Sequence, residues 1–114
     1  MVTDLKYLQQ MTGNNNEIMK EMIELFLAQL AETQVEFDSL LVKGEWLELS
    51  RLAHKMKSSA LVMGIELMAN EMIELEVLAK EATHPEKCRE SIARFNSLTD
   101  RTREELENCL ASLA

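Results

Sequence analysis

The sequence predicts an all-α protein, an antiparallel four-helix bundle with a short N-terminal helix, and three observations carry that prediction. Helix-permissive residues dominate a chain that is 46% hydrophobic and 28% charged, with only three Gly and one Pro to interrupt them. Those breakers, Gly13, Gly44, Gly64 and Pro85, cut the chain into segments of helical length. The connections left between the segments are about two to four residues long, which forces consecutive helices to run antiparallel. The 114 residues amount to a single domain over 1–114, with room for one modest core.

Each element has a start and a stop. Thr3 and Asp4 can cap a first helix over about 4–12, which Gly13 and the run Asn14-Asn15-Asn16 end. Asn14 followed by Glu17 has the spacing of a capping box. It opens a long second helix to about Lys43 with apolar Ile18, Met22, Leu25, Phe26, Leu30, Phe37, Leu40 and Leu41, and Gly44 is its natural stop. A third helix runs from about Glu45 to Met63, ahead of Gly64. A fourth runs from about Glu66 to Ala82 with Leu67, Met68, Met72, Leu75, Val77, Leu78 and Ala79. Thr83, or His84 at a one-residue shift, caps a last helix holding Cys88, Ile92, Phe95, Leu98, Leu106, Cys109 and Leu110, since Pro85 is tolerated in a first turn. The eight Met residues sit mostly at core-like spacing and read as packing.

Composition removes several functions. Twenty acidic against twelve basic residues leave a formal charge of −8, and neutralising nucleic-acid phosphates needs the opposite surplus. Cys88 and Cys109 fit neither a zinc-ligand spacing nor a disulfide framework, so they are expected to be reduced packing residues. No apolar run approaches the roughly 18 residues of a membrane span, and the N-terminus lacks the basic and apolar regions of a signal peptide. The expectation is a soluble, cytoplasmic monomer without membrane insertion.

The third helix has an anomalous face. At about 100° per residue, Leu49, Leu52, Ala53, Met56, Ala60 and Met63 fall in one arc roughly 100° wide, the core stripe of a bundle helix. Leu47, Arg51, His54, Ser58 and Leu61 point the other way, with Ser50 and Lys57 on one flank and Lys55 on the other. Residues 49–65 contain Arg51, Lys55 and Lys57 and no acid, while the other 97 positions hold 9 basic and 20 acidic residues. An acidic chain thus keeps one positive island, centred on an outward-facing His and rimmed by Leu47 and Leu61, the usual form of a docking surface. A neutral imidazole is a competent nucleophile near neutral pH and can accept a phosphoryl group on a ring nitrogen. Lys57, three residues on, lies on the same side and can reach a phosphoryl oxygen, Ser58 and Ser59 could donate to one, and Ser58 is small enough for a partner's backbone to come close. If the chain reverses about Gly64 and Ile65, residues at equal height have numbers summing to about 130, which sets Glu76 level with His54. Its carboxylate could accept Nδ1–H, fix the tautomer with Nε2 free and stabilise the charged ring.

The string Ala-His-Lys-Met-Lys-Ser-Ser-Ala-Leu-Val-Met-Gly at 53–64 resembles the phosphoacceptor motif of histidine-containing phosphotransfer (HPt) domains. That motif is His, Lys three on, Gly four on, Ser or Ala five on and Gly ten on. His54, Lys57, Ser59 and Gly64 match it, and Ser58 stands where the family usually has Gly. The resemblance extends to the order of helices, to Gly44, Glu45 and Trp46 before the His helix, and to Glu76, since many members carry Gln or Glu twenty-two residues after the His. It implies that His54 takes a phosphoryl group from the aspartyl phosphate of one response-regulator receiver domain and passes it to another, downstream of a hybrid histidine kinase. It further implies Mg²⁺ held by the receiver, with no metal site, cofactor or ATP-driven kinase activity in this chain. Leu47, Ser50, Arg51, Lys55 and Leu61 are then the receiver-docking set, and Gly64 a structural turn.

The rival of another class is a helical adaptor that binds partners through Leu47, His54 and Leu61 without transfer. The dimerisation domain of a sensor kinase normally has an acid after its His and a Pro soon after, whereas Lys55 follows His54 and Pro85 is remote. A metal-carboxylate bundle needs Glu-x-x-His pairs on facing helices, and these are not here: Arg51 stands three before His54, and Glu81 three before His84 falls at a helix boundary. His84 reads as a capping or solvent residue.

Overall fold

A computed structural model describes residues 1–113. The described residues form five α-helices and no strand: α1 (Leu5–Met11), α2 (Asn16–Lys43), α3 (Trp46–Val62), α4 (Glu66–Glu81) and α5 (Pro85–Leu113). Asp4 opens α1, its carboxylate accepting the Tyr7 amide at 3.0 Å. The cap of α2 is Asn15 and not Asn14: the Asn15 side chain accepts the Ile18 amide at 3.1 Å. Asn14 turns through the left-handed region, at φ 59, which an N-cap residue cannot occupy, so the expected capping box does not form. For α5, the His84 carbonyl accepts the Cys88 amide at 3.0 Å, which makes His84 the capping position.

Gly44 and Gly64 end α2 and α3 in the left-handed conformation, each followed by an amide that reaches back to the helix, Glu45 to Leu40 and Ile65 to Ala60. Gly64 has a second reason to lack a side chain, because the ring of Tyr7 lies where a Cβ would stand. Ala82 ends α4 in the same conformation without being glycine, at a cost on the order of 1 kcal/mol.

The four long helices pack in a ring, α2 on α3, α3 on α4, α4 on α5 and α5 on α2, around a core in which Phe37 and Phe95 meet edge to face at 5.2 Å. On α3 the expected stripe is buried apart from half-buried Leu52. On α2 the buried file is Met19, Ile23, Phe26, Leu30, Thr33 and Phe37, while Ile18 and Leu25 face outward, as Leu67 and Val77 do on α4. A helix touching two neighbours buries only the face between them, so apolar residues outside that arc remain exposed. Cys88 and Cys109 are buried free thiols, pushed up in pKa by that burial. Among the described residues no helix is long and apolar enough to cross a membrane.

The N-terminal segment is fastened to the far end of the chain. Glu105 on α5 accepts hydrogen bonds from the Val2 and Thr3 amides, both at 2.9 Å, and from the Thr3 hydroxyl at 2.5 Å. Burial pushes this carboxyl up, but the Thr3 hydroxyl and the two amides outweigh it and hold the group below the usual carboxylate range.

Candidate functional site

Because Leu49, Ala53, Met56 and Ala60 turn inward, α3 presents Leu47, Arg51, His54, Ser58 and Leu61 to solvent. The His54 side chain is 58% exposed and the Glu76 side chain 30%. Nδ1 of His54 lies 3.2 and 3.1 Å from the two carboxylate oxygens of Glu76, the residue that hairpin height selects. A carboxylate only accepts, so this pairing assigns the ring hydrogen to Nδ1 and the lone pair to Nε2. Among the described residues nothing hydrogen-bonds Nε2. The Ser50 hydroxyl donates to the Glu76 carbonyl at 2.9 Å and pins α3 to α4 at this height.

Lys57 joins the same cluster, its Nζ 3.3 Å from Nδ1 and 3.7 Å from Glu76 Oε1. With the Nδ1 hydrogen given to Glu76, the ammonium is an ion partner of that carboxylate on the Nδ1 side of the ring. It meets a group on Nε2 only by swinging its flexible stem outward.

Two of the three serines lie away from their expected places. Ser50, expected on an exposed flank as a docking residue, is 6% exposed, because its hydroxyl is spent on the Glu76 backbone at the α3–α4 seam. Ser59, expected as a donor near the ring, instead faces α2 and accepts from the Gln29 amide at 2.8 Å. Five residues correspond to about 500° of rotation, which carries it well away from the His54 direction. Ser58 stays beside His54, with its hydroxyl donated to the His54 carbonyl at 3.2 Å.

The positive island is present, with Lys55 and Arg51 exposed, although Arg51 is paired at 2.8 Å with Glu48 just outside it. Sequence reasoning missed Lys80, which lines one groove with Leu47, Ser50, Arg51, His54 and Glu76. The signal was present: Lys80 follows Glu76 by four residues and so lies on the same face of α4. Leu47 and Leu61 are exposed at either end of the face. Among the described residues no three His, Cys, Asp or Glu side chains converge as a metal site. The arrangement presents a nucleophilic nitrogen to solvent, a carboxylate that answers positive charge on the ring, and cations that attract an anionic group.

A protein-family model described as Hpt domain matches residues 21–114. In fold the chain is similar to the crystal structure of the HPT domain from an Hpt sensor hybrid histidine kinase of Shewanella. The TM-score is 0.83 at 16% identity, with 99% of this chain and 97% of that chain covered. No curated protein matches it in sequence.

Proposed function

The chain belongs to the Hpt domain family, and on that premise we propose that it is a phosphorelay intermediate acting through His54. The observation that carries this reading is the exposed imidazole held at Nδ1 by Glu76, with Nε2 free. The Nε2 lone pair attacks the phosphorus of a receiver's aspartyl phosphate. The bond to the aspartyl oxygen breaks and returns the receiver's carboxylate, and the phosphoryl group rests on Nε2 of a positively charged ring. Glu76 stabilises that charge through Nδ1–H and holds the tautomer for the return step, attack by a second receiver's aspartate. The small Ser58 leaves room beside the incoming group, and Lys57 reaches it by swinging its stem outward from Glu76. Leu47, Arg51, Lys55 and Leu61 meet the receiver.

The Mg²⁺ for both steps sits in the receiver, and the phosphoryl group originates in a hybrid histidine kinase and not in ATP bound by this chain. The whole chain works as one cytoplasmic domain, its four long helices antiparallel as their short connections favour. Incubation with a phosphorylated receiver and Mg²⁺ is expected to label the protein with an acid-labile, base-stable phosphate that His54→Ala abolishes. Absence of label from a broad receiver panel would instead favour the adaptor reading.

A further inference from the structure

The outward face of α2 has no role in the site just described. Its most exposed apolar side chains, Ile18, Leu25, Val35 and Val42, are separated by seven, ten and seven residues, the a and d positions of a heptad pattern. Val35 is 70% exposed and Val42 87%, so neither packs on the protein's own core. The file spans about 36 Å at 1.5 Å per residue and drifts roughly 20° per heptad, which suits a second helix crossing at a shallow left-handed angle.

Charge selects the occupant. The helix carries six acids and two lysines, all eight exposed, and Glu21, Glu32 and Ser39 stand at other a and d positions of the same file. None of the six acids is ion-paired among the described residues. A second copy of the chain fits badly: an antiparallel pairing that lays Leu25 on Val35 brings Glu24 alongside Asp38 of the other copy, and a parallel pairing stacks like on like. An anionic membrane surface is repelled in the same way.

We propose that this face of α2 docks a basic amphipathic helix of a partner protein, its apolar residues seated along Ile18, Leu25, Val35 and Val42 and its Lys or Arg side chains against the acidic flanks. Leu25 borders a groove shared with Ser58, whereas Val35 and Val42 lie outside the groove at His54, so substitutions at those two positions leave phosphoryl transfer untouched. The strip is one helix wide, so the contact is weak and reversible.

The test uses the full chain and fluorescence anisotropy of a labelled synthetic helix with Leu at a and d and Lys at e and g. A peptide of the same composition with the heptad scrambled is the control. The heptad peptide is expected to bind at least about tenfold more tightly than the scrambled one, and Val35→Ser/Val42→Ser to remove that difference with label on His54 unchanged. Both sites are exposed, so the variant folds, which its melting curve verifies. Equal binding of both peptides shows attraction by charge alone and overturns the proposal, as does unchanged binding to the variant. A wild-type dimer in sedimentation that the variant dissolves overturns it in favour of a second copy.

Discussion

Two glutamates on α4 lie five residues apart and live in opposite circumstances. Glu71 is held on the α5 side: it accepts from the fully buried Ser91 hydroxyl at 2.7 Å and from Arg94 at 2.8 and 3.2 Å, and its side chain is only 11% exposed. That hydrogen bond to Glu71 raises the Arg94 guanidinium above its ordinary value. Glu76 faces α3, its side chain 30% exposed, and its partners are an exposed imidazole and the ammonium of a lysine with a long flexible stem. A carboxylate whose lone pairs are filled by rigid donors fastens two helices. One that shares a ring hydrogen with a solvent-facing nucleophile keeps the capacity to respond when the charge of that ring changes.

The sharpest way to break this contrast is to exchange the two sites' readouts. Glu76→Ala is expected to slow phosphoryl transfer on the order of 10- to 100-fold with a stability change within about 0.5 kcal/mol, measured by single-turnover labelling and thermal melting. Glu71→Ala should do the reverse: it strands the buried Ser91 hydroxyl and costs about 1–3 kcal/mol of stability, while transfer stays at the wild-type rate. Equal effects of the two on transfer would erase the distinction. Lys57→Ala comes next, slowing transfer or shortening the phosphohistidine lifetime without unfolding the domain. A large drop in melting temperature would make its stem structural instead.

Glu105 extends the contrast to pH. Its carboxyl is lowered in the folded protein, so the stability it contributes is fully present above the ordinary value of 4.5 and is lost as pH falls through the lowered one. Acid titration of the melting temperature should show this loss, and Glu105→Gln should flatten it in that window. The smallest effect is expected from Ser58→Gly, which removes the bond to the His54 carbonyl and weakens the helix by about 0.5 kcal/mol; receiver affinity measured by calorimetry should rise if the hydroxyl hinders a receiver's loop. An unchanged affinity would show that Ser58 is no obstacle.

What the sequence made legible follows the range of the interactions involved. Helix ends at Gly44, Gly64 and Pro85 are local events, and Glu76 was legible because a short turn converts sequence number into height. The choice between Asn14 and Asn15 was not, since the same good capping residue stands at both positions and only the backbone angle separates them. Ser50 and Ser59 sit at stripe edges, where a modest rotation decides between solvent and a neighbouring helix. Ser91, Thr99 and Thr102 are buried although polar, and small hydroxyls leave no trace in hydropathy. The grip of Glu105 on Val2 and Thr3 spans more than a hundred residues and has no local signature.

That grip has a consequence for biosynthesis. Residues 2 and 3 wait for a carboxylate made some hundred residues later, and the Tyr7 ring that covers Gly64 hangs from the segment they anchor. On the ribosome the His-bearing hairpin is therefore complete well before Glu105 has been made, and until then the N-terminal segment has only the burial of Leu8 to hold it.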